Sequence, residues 1–471
     1  MSSVEAKGKT IRSTIPARLD RLSWSPFHTR MVAGLGAAWI LDGLQITIAS
    51  SVTGVLVQPD TLDMTSSQVG MIASIYLVGQ VVGALYFGRK SDQLGRKRLL
   101  IITLLLYLFG TGLAAFTIND GGWVWLAWFY GTRFIAGMGI GGQYAAINSA
   151  IDEMMPSKYR GRVDIWINGS YWAGAILGSF ASLIFLNAFA PNVGWRLAFL
   201  MGPVLAIVVI IVARTLPESP RWLMTHGRME EAERNIASIE EAVRKSGQEI
   251  EPVDDSQALE LTPEKRYGYV MFLGLVFRTY PRRAVLGATL MITQSFLYNA
   301  IYFTYGLVLV KFYGVAADKV PLYGLAFAVG NLCGPLILAP LFDSVGRKPM
   351  ISGTYIISGL LLAISGWMFN DGHLDATTQT FCWIVIFFFA IAQVFGAFGP
   401  VFYGWLIGDG SDTTGLFIGY VIGGAIMVLG GIVEFAIGIK AEGKSLEDIT
   451  KPLTSTAEDP PEAGPLPAPA G

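Results

Sequence analysis

The chain has 471 residues, of which 52% are hydrophobic and 15% charged; its net charge is −1 and its mean hydropathy +0.50. Soluble domains usually carry about 25% charged residues, and here the apolar residues gather in nearly uncharged runs such as Met31–Val57, Leu99–Ile118 and Ile351–Phe369. The composition excludes an ordinary soluble domain and gives no bulk charge for binding nucleic acid; it predicts an all-α, polytopic membrane protein.

Residues 1–30 are polar and basic and show no cleavable signal pattern. The apolar run that follows is too long for a signal h-region and reads as an uncleaved first span. Runs near 31–57, 68–87, 99–118, 123–150, 163–190 and 195–215 each supply enough apolar length, roughly 20 residues, to cross a ~30 Å hydrocarbon layer as a helix. Lys and Arg collect in the tail (Lys7, Lys9, Arg12, Arg18, Arg21, Arg30), in Arg89–Arg98 and in Lys158–Arg162, whereas the loops 58–68, 119–122 and 191–194 carry none. This alternation places the N-terminus in the cytoplasm. A charged cytoplasmic segment, 216–283, with a helix-like stretch Met229–Lys245, separates this half (31–215) from a second (284–440). Spans in the second half are expected near 284–312, 321–341, 350–369, 378–407 and 414–439. Residues 441–471, rich in Pro, Ala, Gly and acids, read as a disordered cytoplasmic tail.

The two halves share a repeat. Asp92-Gln93-Leu94-Gly95-Arg96-Lys97 follows the second span, and Asp343-Ser344-Val345-Gly346-Arg347-Lys348 follows the second span of the other half. A duplicated carrier is built this way. The first copy, extended back to Gly88-Arg89-Lys90-Ser91, resembles the signature loop of the major facilitator superfamily. Arg133 with Gly137, Gly139, Gly141 and Gly142 is similar to that superfamily's fourth helix. Glu153-Met154-Met155-Pro156 with Arg160-Gly161, and Pro217-Glu218-Ser219-Pro220-Arg221-Trp222-Leu223, resemble its sugar-porter-like branch. The resemblance covers most of Met31–Arg221 and implies two six-helix bundles, a central cavity and alternating access.

The second half departs from the pattern. Spans four and five with their loop occupy about 69 residues, Trp123–Pro191, but the equivalent stretch Thr378–Ile407 has about 30 and no basic loop. The loop 408–412 lacks Lys and Arg, while the tail begins with Lys440 and Lys444; charge therefore asks for twelve spans where eleven are visible. The second bundle reads as shortened around spans ten and eleven, by a loss of about 30 residues near Ala390. A bent re-entrant segment is the alternative.

Charges inside a bilayer are costly and mark function by default. Asp42 and Arg133 both reach roughly mid-depth, where opposite charges on packed helices offset each other's desolvation. Protonating Asp42 would release Arg133 and bias the carrier between its two forms; a permanent structural pair is the alternative. Glu434, close to Lys440, reads as structural. The turns with Gly88, Asp92, Gly95, Arg96 and with Asp343, Gly346, Arg347, together with Glu153, Arg160 and Glu218, form a candidate cytoplasmic gate pairing across the bundle interface. Stop signals for insertion are their other reading. Candidate solute ligands are Gln143, Asn148, Asn168, Gln294, Asn299, Tyr302 and Asn331, uncharged groups that need partners in lipid. Gln294…Asn299 is one residue shorter than the sugar-porter pattern, and Ser295 replaces a glutamine, which weakens a hexose assignment. Trp172, Trp383 and Trp405 offer rings for stacking, although packing or interface anchoring is their commoner role.

Gly137-Met138-Gly139-Ile140-Gly141-Gly142 satisfies the dinucleotide pattern but sits in an apolar helix with no preceding strand, so close helix packing is its expected role. Cys333 and Cys382 give no metal or disulfide pattern, and His28, His226 and His373 are scattered. The expected protein is a secondary active transporter of a small polar organic solute (sugar, polyol or organic acid), proton-coupled, monomeric and without cofactor. It would reside in the inner (plasma) membrane, with lipid, proton and solute as partners and no nucleic acid. A solute sensor or an inactive truncated product is the alternative.

Overall fold

Long apolar runs have one way to satisfy their backbone in lipid, the helix, and helices dominate the chain. The structure, a computed structural model, describes residues 11–254, 258–261, 274, 277, 278, 280–389 and 413–438. A first group of long helices comprises α2 (Pro26–Ser51, continued by the short α3, Thr53–Leu56), α4 (Ser66–Leu94), α5 (Arg96–Ala114), α6 (Val124–Met154), α7 (Ser157–Ala188) and α8 (Pro191–Thr215). The second comprises α11 (Pro281–Tyr313), α12 (Val320–Ser344), α13 (Arg347–Asn370), α14 (Ala376–Phe389) and α15 (Thr413–Ile437). Short helices α1 (Ile15–Asp20), α9 (Pro220–Thr225) and the longer amphipathic α10 (Met229–Lys245) gather on the face that carries the basic turns. Among the described residues, seven helices are long and apolar enough to cross a membrane. The expected loss of residues near Ala390 falls in 390–412, outside the described residues.

Helix ends follow local chemistry. The Thr65 hydroxyl accepts from the Gln68 backbone N–H (3.2 Å) and the Gln68 side chain accepts from the Thr65 N–H (2.9 Å), a reciprocal cap that starts α4. The two repeated turns share one backbone geometry: Gly95 has φ 87°, ψ 158° and Gly346 has φ 106°, ψ 149°, each between the end of one helix and the start of the next. Only glycine adopts that conformation without strain, which is the physical reason for the glycine in both copies.

Small residues let the helices touch backbone to backbone. A Cβ added to Gly141 would land on the Gln80 carbonyl oxygen of α4, one on Gly137 on that of Tyr76, and one on Gly139 within 2.6 Å of the Tyr107 backbone nitrogen of α5. The glycine-rich stretch is therefore a three-helix seam. Gly43 of α2 and Gly174 of α7 approach each other's helix in the same way, against the carbonyls of Tyr171 and Ile40. In the second group, Gly359 of α13 and Gly424 of α15 abut reciprocally. The groups meet along α7 with α12 and α2 with α11.

The basic face is strapped. Strand β1 (Ile11–Ser13) pairs antiparallel with β2 (Leu259–Leu261), joining the N-terminal tail to the segment before α11. From α1, Arg18 bonds Glu240 of α10 at 2.8 and 3.0 Å, and Arg21 reaches the same carboxylate at 2.5 Å. Asp20, facing the other way, meets Arg221 at 3.5 Å and Arg160 at 3.8 Å. Burial alone would push the Glu240 pKa up, but hydrogen bonds from Arg18 and Arg21 outweigh it and hold the carboxyl below its usual range. A depressed folded pKa contributes stability that is fully present above the unfolded value, roughly 4.3, and is lost as pH falls through the folded one. The strap should therefore hold at neutral pH and loosen in acid. Glu240→Ala removes charge-assisted bonds worth about 1.5–3 kcal/mol, roughly ten- to a hundredfold in opening. Limited trypsin digestion should cut the tail at Arg18 and Arg21 faster in that variant; an unchanged rate would contradict the strap.

Candidate functional site

Asp42 lies on α2 with no exposed surface, enclosed by α4, α5 and α6. Its two oxygens are taken by two phenols: Tyr76 of α4 donates to Oδ1 at 3.3 Å, and Tyr144 of α6 donates to Oδ2. Tyr107 of α5 completes the wall, its hydroxyl 3.5 Å from the Leu41 carbonyl oxygen. Arg133 of α6 is 1% exposed. Its guanidinium carbon stands 4.7 Å from the Tyr76 ring centre and 5.3 Å from that of Phe199 on α8, and its Nε and Nη1 have no hydrogen-bond partner. No ion pair within 4.0 Å joins Asp42 and Arg133. The direct pair expected from the sequence is replaced by a couple linked through Tyr76. The reason is geometric, because α4 packs so closely on α6 that its tyrosine fills the space between the charges.

A second cluster closes the two groups against each other at the ends of α2 and α11 remote from the basic face. Thr47 of α2 donates to the Gly43 carbonyl oxygen at 2.7 Å, so in its bond with Tyr302 of α11 it accepts, at 2.5 Å. Tyr305 lies 3.5 Å from the Ser51 hydroxyl. Trp172 of α7 packs edge-on against Tyr302 and Phe327 of α12, both at 5.9 Å between ring centres, and Tyr305 stacks on Phe327 at 6.3 Å. These rings are almost wholly buried. Together they form a plug between the groups.

The other expected ligands divide. Gln143 is buried and donates to the Ala38 carbonyl oxygen at 2.9 Å, leaving Oε1 without a partner; Asn331 donates to the Phe327 carbonyl oxygen at 2.7 Å, leaving Oδ1 without one. A buried acceptor left unsatisfied costs about 1–3 kcal/mol, so both halves of the molecule offer oxygens ready for an O–H or N–H donor: Gln45 and Gln143 Oε1 in the first, Asn331 Oδ1 in the second. Asn148 is exposed on α6. Asn168 turns its amide nitrogen back on its own helix, donating to the Asp164 carbonyl oxygen (2.8 Å) and side chain (3.0 Å). The side chains of Gln294, Asn299, Asp343 and Arg347, and all of Trp405, lie outside the described residues. Trp383 donates to the Tyr420 hydroxyl at 3.3 Å within the second group, a packing role. Glu434 is buried on α15 with Lys348 within electrostatic reach.

At the first repeated turn, Arg96 meets Glu153 at 2.6 Å and Asp92 at 3.3 Å, and Glu218 accepts from the Arg96 backbone N–H at 2.8 Å. The Trp222 indole donates to the Asp92 carbonyl oxygen at 2.8 Å. Gly88 stands inside α4, six residues before its end at Leu94, with open space at its Cβ position. These bonds stitch α4, α5, α6 and α9 together on the side of the first group, because Glu218 follows α8 and its carboxylate reaches in beside Gly95. Arg160 stands apart from this set, bonded to the Met155 carbonyl oxygen at 3.3 Å and facing Asp20 and Asp152.

The sequence profile of the family described as "Sugar (and other) transporter" matches residues 41–409, most of the chain. The chain belongs to that family. It is thus a membrane transporter, and not an enzyme. Among characterised relatives, the niacin transporter NiaP of Acinetobacter baylyi is 29% identical over 367 residues, covering 78% of this chain and 77% of that protein. The glucose transporter GlcP of Staphylococcus epidermidis is 25% identical over 351 residues, 72% of each chain. Among solved structures, the partially occluded inward open form of the xylose transporter XylE from E. coli superposes with a TM-score of 0.66 at 19% identity, covering 90% of this chain and all of that one. At that identity the likeness concerns the fold of this transporter. The buried Asp42 couple and the aromatic plug accordingly sit in the body of a multi-pass sugar- and metabolite-type carrier.

Proposed function

We propose that this carrier moves a small polar organic solute (a sugar, polyol or organic acid) by alternating access, driven by protons, across the inner (plasma) membrane with its N-terminus in the cytoplasm. The single observation that carries the reading is the fully buried Asp42, held by neutral phenols with Arg133 on the far side of one of them. An acid in that position can exchange a proton, because two phenols and a nearby guanidinium favour its ionised form while burial favours its neutral one. A structure bearing the same fold is described as a proton:xylose symporter, which supports the coupling. Residues 31–215 and 284–440 are the moving halves in this reading, joined by the cytoplasmic segment 216–283. The plug of Thr47, Ser51, Trp172, Tyr302, Tyr305 and Phe327 is the closed extracellular side, and Gln143 and Asn331 face the solute from opposite halves. The basic turns form the cytoplasmic gate, Asp92, Arg96, Glu153 and Glu218 belonging to the first half.

Uptake of labelled nicotinate, D-glucose and a polyol into cells, with and without an uncoupler, tests this. Accumulation of at least one of them that collapses with the uncoupler is expected. Uptake indifferent to the gradient would leave a facilitator. The short stretch between Ala376 and Thr413 favours one other reading, a solute sensor, which would bind these probes in reconstituted vesicles without flux.

A further inference from the structure

Tyr76 is not a residue that coupling by a direct acid–arginine pair would need, yet it touches both charges. Its hydroxyl donates to Asp42 Oδ1 at 3.3 Å and its ring lies 4.7 Å beneath the Arg133 guanidinium carbon. Arg133 has no hydrogen-bond partner at Nε or Nη1 and is closed off from water, so the faces of Tyr76 and Phe199 are its described anchors. We propose that Tyr76 is the positioning residue that transmits the protonation state of Asp42 to Arg133. This rests on the proton-coupled reading above.

The chemistry runs through one hydrogen bond and one ring. An ionised Asp42 accepts only, so both phenols donate to it, and a hydrogen bond to a carboxylate is roughly twice as strong as a neutral one. Donation to an anion leaves the Tyr76 ring richer in electrons and pins its face under Arg133, where desolvation strengthens the cation–ring contact. A protonated Asp42 becomes a donor. One phenol must then give up its bond or reverse it, the ring loses its polarisation and its pin, and the guanidinium is freed to seek another partner. The titratable groups facing the couple are Tyr76 from α4, Tyr107 from α5, Arg133 and Tyr144 from α6, and Tyr302 from α11. Tyr171 of α7 presents its carbonyl to Gly43 beside them, and α8 contributes only the uncharged Phe199. Tyr144, which also holds Asp42, has its ring stacked on Trp39 at 4.5 Å.

Infrared difference spectra between acid and alkaline pH, taken on the full chain in liposomes with isotope-labelled arginine, test the relay without a solute. The parent protein should show a carboxylic-acid band that Asp42→Asn removes, together with a shifted guanidinium band that Arg133→Lys removes. Tyr76→Phe keeps the ring and loses the hydroxyl; it should retain the acid band and lose the guanidinium shift, whereas Tyr144→Phe should retain both. A guanidinium shift that persists in Tyr76→Phe, or is missing from the parent, overturns the relay. An acid band that survives in Asp42→Asn instead overturns the coupling reading itself, so the two failures are told apart.

Discussion

Asp42→Asn is expected to abolish solute accumulation against a gradient in proteoliposomes carrying an imposed pH difference. The amide keeps the size and one acceptor for the Tyr76 and Tyr144 hydroxyls, so the folded protein should survive. Arg133 then remains compensated by rings alone, as it would in the protonated state of the parent, and the carrier is fixed in one protonation form. Solute-for-solute exchange, which needs no net proton movement, should persist at a reduced rate and lose its dependence on pH. Truncating the other partner is harsher. Arg133→Ala removes the desolvated contacts of the guanidinium with the Tyr76 and Phe199 rings, a loss of about 2 kcal/mol, and should show as a lower melting temperature as well as lost accumulation. Accumulation by Asp42→Asn equal to that of the parent would remove Asp42 from the mechanism.

Gly141→Ala should destabilise the transporter even though alanine is ordinarily the better helix former. In an open helix position the exchange gains roughly 0.5–1 kcal/mol. At Gly141 the added carbon meets the Gln80 backbone carbonyl, which cannot step aside without parting α4 from α6. Overpacking of this kind costs about 1–3 kcal/mol, and it would also pull Tyr76 away from Arg133. Gly131 on the same helix has open space around its Cβ position and serves as the control. A thermal-shift comparison should give a lower midpoint for Gly141→Ala and an equal or higher one for Gly131→Ala. A midpoint unchanged at Gly141 would mean that the seam is looser than described.

The helices were readable because twenty apolar residues in lipid have no other structure, and their described bounds follow the apolar runs closely. The repeated turn was readable because a glycine held at positive φ between two helices cannot be exchanged freely. Asp42 and Arg133 stood out as charges in apolar surroundings, but their separation did not, since depth along two helices says nothing about which side chain fills the gap. Tyr76, Tyr107 and Tyr144 passed unnoticed for a related reason: tyrosine in a span is commonly packing, and only the approach of α4 and α5 to α6 turns these three toward one carboxylate. The single hint was the glycine seam, whose spacing implied that whatever lay opposite would be pressed close. Asn168 and Asn331 each donate to a carbonyl one turn back on their own helix, a bond that no pattern of residue types reveals. Arg160 carried a family resemblance, yet its partner Asp20 lies in a tail the motif does not include.

Proton movement with solute is the central claim, and it can be read without a label. In lightly buffered proteoliposomes, adding a transported solute should make the outside medium alkaline, in step with solute influx, and Asp42→Asn should erase the signal. Solute influx by the parent protein with no change in external pH would contradict the account.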